Sequence, residues 1–455
     1  MMKLNLIILA LKSRFFILLL AFFTDYLIED HQPDAYQNEP LTEHFIRSLN
    51  KNNTENLTRL DRILIPLLKP LARWDAQYYL SIAIEGSYPT EQHLAFFPLY
   101  PFVIRSISSL LSRWIVPSYL SQITLISLIG YLLNLVCFVI SLLSLYNLSV
   151  YLFQDYKFCD EVAKLFAYNP ASIFFTALYT ESLFLCLTLL GLEMLYNRNL
   201  PFLASILFGL SALTRSNGLV SLGYLIFYHC IQIYLEFDRS KISKVKFFAQ
   251  NAMKIFTSIS MMVAPYLMYQ IYLYHLYCSV QNQIKVEWCH YRIPISYGYV
   301  QKKYWNLGFF SYYQWKQIPN FFLAAPTLMV VIYPALKFLK KNFRLIKILI
   351  ANKSRRSQAI LLGRFLRPIL KKNFFENSFL LPFVLHSLFL SMICLTTMHV
   401  QVSTRFLFSS NPWPLWAMVH LRRSTNKMLN KSITLWPIIY LIVGTSMFAN
   451  FFPFT

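Results

Sequence analysis

Charge and glycine are both scarce in this sequence. Charged residues make up 14% of its 455 residues, against roughly 25% in an ordinary soluble domain, which argues against a fold surrounded by water. Glycine occurs ten times, and no internal repeat is evident. Both observations weigh against a secondary transporter, whose midplane site is commonly built from Gly/Pro-broken helices in repeated halves. The seven cysteines include no CxxC pair and the nine histidines no HExxH. Zinc therefore has no support, and neither a metal nor another cofactor is expected. Cys278 and Cys289 could pair on an oxidising side, although unpaired cysteines near helix ends are the preferred reading.

What fills the chain is apolar. Apolar and aromatic residues make up 56%, and the mean hydropathy is +0.45. A helix needs roughly 20 mostly apolar residues to cross a bilayer. Candidate spans fall near 4–24, 96–112, 119–149, 171–196, 200–214, 217–236, 255–278, 320–336, 378–397, 405–421 and 433–451. The expected fold is an all-α polytopic membrane protein of about eleven helices, a few short enough to need local bilayer thinning. Residues 1–455 read as a single integral membrane domain. Lys3, Lys12 and Arg14 flank an apolar run without a small-x-small cleavage site, the pattern of an uncleaved signal anchor.

Lys and Arg outnumber Asp and Glu by 42 to 20, but their distribution excludes nucleic acid as the reason. Residues 337–372 hold twelve Lys/Arg, 239–254 five and 422–431 four. The first two stretches hold no acid, and all three lie between candidate spans. Such stretches mark cytoplasmic loops, the largest being 337–377. Threading outward from them leaves residues 25–95 as a long non-cytoplasmic loop, with 96–112 leading in, 119–149 out and 171–196 in. Eleven of the acids lie between Asp25 and Glu91, within that loop. It also carries two glycosylation sequons, at Asn52 and Asn56. Its segment DRILIPLLKPLARWDAQYYLSIA suggests short amphipathic helices lying in the interface.

Five polar-aromatic patches fall on or near the same non-cytoplasmic side: 73–79, 169–182, 214–218, 304–320 and 399–406. Each alone has a plain structural reading, as an aromatic interface belt or a helix start. Together they favour a site, since polar groups converging in an apolar setting are its usual mark. Asp75 is the sharpest member. A carboxylate beside Trp74 at an interface is partly desolvated and suited to accept a proton. Glu85 and Glu181 are rival bases.

The strings RWDAQYYLSIAIEGSY, NPASIFFTALYTESLF, LTRSNG, YWNLGFFSYYQWKQIPNFFLAAP and HVQVSTRFLFSSNPWPLW resemble, in order and content, the GPI mannosyltransferase 2 family. The resemblance runs from about Arg73 to Trp416. It implies a glycosyltransferase C-like architecture with the catalytic carboxylate in the first long lumenal loop, in the endoplasmic reticulum membrane. It implies a donor, dolichol-phosphate mannose, and an acceptor, the mannosylated GPI precursor lipid, and leaves room for an accessory membrane subunit. The implied reaction is α-1,6 transfer of the second mannose with inversion. Asp75 matches the catalytic position. The expected substrate-binding residues are Arg73, Trp74, Asn169, Glu181, Arg215, Asn217, Lys316, Gln317, Asn320, His399, Gln401 and Arg405, with Tyr78 and Trp305 as further stacking surfaces. Among the cations, Arg215, Lys316 and Arg405, with Arg73 fourth, are the candidates for the donor phosphate. Another lipid-linked-sugar transferase of the same fold stays open as the alternative, with a transporter as the weaker rival.

Overall fold

A computed structural model describes residues 2–32, 58–115, 119–237, 243–279, 286–351 and 374–454. The sequons at Asn52 and Asn56 lie outside these residues, as do 239–242 and 352–373 of the basic loops. The described residues are helical, without a strand. In chain order the helices are α1 (Met2–Leu27), α2 (Arg59–Leu68), α3 (Asp75–Glu85), α4 (Leu99–Ile115), α5 (Gln122–Phe153), α6 (Tyr156–Ala167), α7 (Glu181–Tyr196) and α8 (Pro201–Ala212). They continue as α9 (Leu222–Phe237), α10 (Lys244–Cys278), α11 (Ser296–Trp305), α12 (Ile318–Ala351), α13 (Leu381–Thr396), α14 (Ser403–Phe408), α15 (Trp413–Arg422) and α16 (Lys427–Ala449). Among the described residues, five helical stretches are long and apolar enough to cross a membrane: Met2–Leu27, Gln122–Phe153, Ser216–Phe237, Trp315–Phe343 and Lys427–Ala449. Shorter apolar helices lie at Leu99–Ser112, Pro201–Ala212 and Leu381–Thr396.

The order of helix directions differs from the one the threading predicts. Asn134 on α5 donates to the carbonyls of Ala177 and Tyr179, at 2.6 and 3.0 Å. Thirteen residues on, Asn147 donates to Glu193 on α7. Helices α5 and α7 therefore run parallel, not antiparallel. Helix α1 runs against α5: Arg14 lies over the Phe138 ring, while Met2 meets Tyr146. Two features account for the correction. Helix α4 folds back along the first half of α5, with Tyr100 beside Gly130 and Asn134, instead of crossing to the other end. The chain then returns through 168–180, which is not the start of a helix but a buried irregular segment with one 3-10 turn at Ser172–Phe175.

Irregular backbone inside a membrane protein is tolerated where its polar groups find partners within the protein. Arg14 supplies several of them. Its guanidinium donates to the carbonyls of Ala167 and Ser172, both at 2.7 Å, and to the Thr176 hydroxyl at 3.1 Å. Arg14 is thus an interior clamp rather than the flanking charge of a signal anchor. The outer rim of the segment is fastened by Leu178 N–H to the Leu71 carbonyl at 3.0 Å.

The gap between the candidate spans 200–214 and 217–236 is a tight turn, and one other candidate span is broken. Helix α8 ends before Thr214, and a 3-10 turn at Ser216–Ser221 leads into α9. A Cβ at Gly218 would meet the Ala212 backbone at 2.6 Å, so the turn can close this tightly only on glycine. The predicted span 405–421 divides into α14 and α15 around Pro412, with Asn411 Oδ1 accepting from Trp413 N–H at 2.8 Å. Helix α3 is buried from Ala76 through Ala83, so Tyr78 and Tyr79 pack inward instead of lying in an interface. Cys278 and Cys289 form a disulfide, contrary to the unpaired reading. It ties the end of α10 to the turn Glu287–His290.

The two ends of the bundle are chemically distinct. At one, Arg423 pairs with Asp155 and Glu161, at 2.8 and 3.0 Å, close to the described flanks of the basic loops. The breaks at 168–180 and 214–221 lead to the other end, where Glu181 meets Arg215, while the break at 409–412 lies deeper in the bundle, with Asn411 against Ser387 of α13.

Candidate active site

Two helices begin at this second end with a carboxylate as their first residue. Asp75 opens α3 and Glu181 opens α7, positions where the helix N-terminus favours negative charge. Arg405 on α14 bridges them. Its Nη2 lies 2.8 Å from Asp75 Oδ2 and its Nε 2.9 Å from Glu181 Oε1. Arg215, just before the 3-10 turn, pairs with the same Glu181 oxygen and lies 3.3 Å from Thr180 Oγ1. Beneath the Arg405 guanidinium lie the rings of Phe174 and Tyr179, at 5.4 and 5.2 Å to their centroids. Two carboxylates, two guanidiniums and an aromatic floor thus meet from four segments that are remote in sequence.

The two acids are not equivalent. The Glu181 side chain is 0% exposed and Asp75 is 30% exposed. Glu181 faces two cations inside the protein, whereas Asp75 presents carboxylate surface outward, where a substrate hydroxyl can approach. Glu85 sits exposed at the far end of α3, about 15 Å along the helix at ~1.5 Å per residue.

Asp75 is held from both sides. Its backbone N–H donates to Tyr179 Oη at 3.0 Å. Trp74, immediately before it, has φ 55 and ψ −125, a conformation that costs a bulky residue on the order of 1–3 kcal/mol. The flanking contacts hold it there. Arg73 turns away from the cluster, reaching Asp25 and Asp30, the latter at 2.9 and 3.0 Å, and the Ala449 carbonyl at 3.0 Å. It is 1% exposed, and its guanidinium stacks on Phe451. Arg73 thus anchors the loop against α1 and α16.

The other expected binding residues fall into two groups. Asn169 and Asn217 serve the fold. Asn169 donates to Phe166 O and accepts from Ala171 N–H, while Asn217 donates to Ser410 Oγ. Gln317, Asn320, His399 and Gln401 instead form a second polar cluster. Tyr312 Oη donates to Gln401 Oε1 at 2.6 Å and accepts from Asn320 at 2.7 Å, and Asn320 also reaches Gln317. His399 stacks on Tyr312 and its Nε2 lies 2.9 Å from the Trp305 carbonyl. Burial pushes the His399 imidazole below its usual range, the Trp305 carbonyl opposing that shift. Trp305 meets Tyr78 of α3 edge-on at 6.2 Å, so this cluster adjoins the helix that Asp75 opens. Lys316 lies exposed at the rim of the same segment.

Sequence reasoning missed Tyr179, Arg14, Asp25 and Asp30. Tyr179 stands inside the quoted string TALYTES and could have been singled out there. The two aspartates carry no local signal, because their partner is 43 or more residues away.

A carboxylate–guanidinium site at one end of apolar helices, next to an aromatic and amide cluster, is the equipment of a membrane-embedded transferase acting on polar headgroups. Comparison with known proteins narrows the class. A family model described as Mannosyltransferase (PIG-V) matches residues 3–455, and the chain belongs to that family. It is 31% identical to GPI mannosyltransferase 2 of Drosophila pseudoobscura pseudoobscura, over 98% of each chain. It is 28% identical to GPI alpha-1,6-mannosyltransferase 2 of Homo sapiens, over 92% of this chain and 84% of that one. No solved structure matches.

Proposed function

We propose that this protein transfers the second mannose of the GPI anchor. The donor is dolichol-phosphate mannose and the acceptor is the 6-hydroxyl of the first mannose on the precursor lipid. The reaction takes place at the lumenal face of the endoplasmic reticulum membrane. The printed names of the relatives support the reaction. The observation that carries the site is the Asp75–Arg405–Glu181–Arg215 cluster. In this reading the architecture is the glycosyltransferase C type, with about eleven crossings made partly by short and broken helices.

Inversion needs one in-line displacement. Asp75, the outward-facing carboxylate, takes the proton of the acceptor hydroxyl. The bond from the anomeric carbon to the donor phosphate breaks, and the phosphate gains negative charge that Arg405 and Arg215, with Lys316 at the rim, stabilise. Gln317, Asn320, His399 and Gln401 hold sugar hydroxyls, while the half-buried Trp74 and Trp305 offer faces for sugar rings; Tyr78, expected to be a third, is buried with its ring stacked on Phe96. Both substrates keep their lipid tails in the bilayer while their heads meet beside it.

Depletion of the protein tests the reaction: the one-mannose GPI intermediate should accumulate, and any other accumulating species refutes this assignment. Asp75→Asn tests the base. Loss of a general base costs roughly 10²–10⁴-fold in rate, so re-expression of this variant should leave the one-mannose species in place. Normal transfer by a folded Asp75→Asn protein removes Asp75 from the role.

A further inference from the structure

We propose that Arg405 alternates between Asp75 and the donor phosphate, so that binding of the donor is what releases the base; this rests on the lipid-phosphate donor reading above. Arg405 makes ion pairs with two carboxylates of unlike surroundings. Glu181 is wholly buried and already faces Arg215, so its end of the contact is fixed. Asp75 is partly exposed, so the other end of the guanidinium lies where a ligand can compete for it. Of the five N–H donors of an arginine, these two ion pairs are the ones Arg405 makes among the described residues. The rings of Phe174 and Tyr179 beneath it give a cation–π floor, over which a planar guanidinium can swing without losing its support. Glu181 is thus the pivot and a positioning residue.

The charge balance of the reaction favours the same movement. Before transfer Asp75 is an anion and the phosphodiester of the donor carries one negative charge. The acceptor proton passes to Asp75, the acceptor oxygen bonds the anomeric carbon, and the electron pair of the broken bond goes to the phosphate oxygen. Asp75 becomes neutral and dolichyl phosphate leaves with two negative charges; the proton on Asp75 is later lost to water. One negative charge therefore moves from Asp75 to the phosphate, and a cation poised between them is drawn the same way. While Arg405 is paired with Asp75 Oδ2, 2.8 Å away, its charge holds that oxygen of the base. Once it turns to the phosphate, that oxygen is open to the acceptor.

If Asp75 and the phosphate compete for one guanidinium, removing the charge of Asp75 must strengthen phosphate binding even as it stops the chemistry. The test is the affinity of the purified full-length chain in nanodiscs for dolichyl phosphate. Asp75→Asn should bind about tenfold tighter than wild type, the scale of one charge-assisted hydrogen bond. Simple relief of anion repulsion would also tighten binding, so the comparison is repeated in an Arg405→Gln background, where Asp75→Asn should change the affinity less than twofold. Arg405→Lys, which keeps the charge but not the fork, serves in the same comparison if Arg405→Gln does not fold, and should lose most of the coupling. Unchanged or weaker binding by Asp75→Asn overturns the proposal, as does tightening that persists undiminished without Arg405. If wild type neither binds dolichyl phosphate nor uses dolichol-phosphate mannose, the donor reading fails first and the proposal falls with it.

Discussion

The indole of Trp74 meets the ring of Phe451 edge-on, with centroids 5.7 Å apart, and Phe451 in turn lies 4.3 Å beneath the Arg73 guanidinium. The segment that follows α16 is therefore a buttress for the loop that presents Asp75. Phe451 itself has φ 58, so two bulky residues in the left-handed half of backbone space brace each other. Strain of this kind persists only where surrounding contacts overdetermine it.

Phe451→Ala removes the buttress without touching the charged cluster. Truncating a buried aromatic costs about 3–5 kcal/mol. Because Trp74 is then released to relax, the turnover number should fall further than the apparent donor affinity. The measurement is the melting temperature of the purified protein beside its kinetic constants. Full activity with an unaltered melting temperature would show that Trp74 needs no support from this segment.

Arg14 supports the opposite side of the same site. It holds the backbone of the 168–180 segment, which delivers Tyr179 to Asp75 N–H and Glu181 to the two arginines. Arg14→Leu is apolar and suits a membrane helix by composition, yet it strands the Ala167 carbonyl and leaves that of Ser172 only the Thr176 hydroxyl, at 3.4 Å. Each buried polar group left unsatisfied costs about 1–3 kcal/mol. A strong loss of stability is expected, partly recovered by Arg14→Lys. Equal stability of Arg14→Leu and wild type in a thermal assay would refute the clamp.

The sequence made some of this plain and concealed the rest, for identifiable reasons. Apolar runs exposed the long helices α1, α12 and α16, because hydropathy reads length directly. It did not expose the direction of α5, since α4 is apolar enough to pass for a span while folding back. Asp75, Glu181, Arg215 and Arg405 all stood out as charges within polar-aromatic patches, and they do meet. Arg73 stood out equally, although its partners Asp25 and Asp30 lie on the other side of the loop. Nothing local separates an arginine that faces a substrate from one that anchors a fold. Asn169 and Asn217 show the same ambiguity, since a turn and a sugar ask for the same amide.

Acid should loosen the region around the second cluster. Burial lowers the His93 imidazole from 6.5 to about 4, and His399 is lowered from 6.5 in the same sense. Both are therefore neutral in the folded protein at neutral pH. The unfolded chain binds protons at these positions first as pH falls, so stability rises with pH through this window. The contribution is full above about pH 6.5 and declines from there towards pH 4. Melting temperatures measured between these limits should drop on acidification, and His93→Gln together with His399→Gln should flatten the slope. An unchanged slope in the double variant would assign the acid sensitivity to other groups.

The disulfide gives a handle on sidedness that does not depend on the chemistry of the site. Cys278 ends α10 and Cys289 lies in the turn that follows, at the end of the bundle that holds Asp75. A stable disulfide belongs to an oxidising compartment, so in sealed microsomes this pair should resist a membrane-impermeant thiol reagent until the vesicles are opened and reduced. Cys230, on α9, is exposed and unpaired and should be replaced by serine first, so that it does not supply the signal. Closing an eleven-residue separation stabilises chiefly the local loop, by roughly 2–3 kcal/mol. Paired Cys278→Ser and Cys289→Ser substitutions should therefore lower activity modestly while leaving the bundle assembled. Reaction of either thiol in intact, unreduced vesicles would place this end in the cytosol and reverse the sidedness of the site.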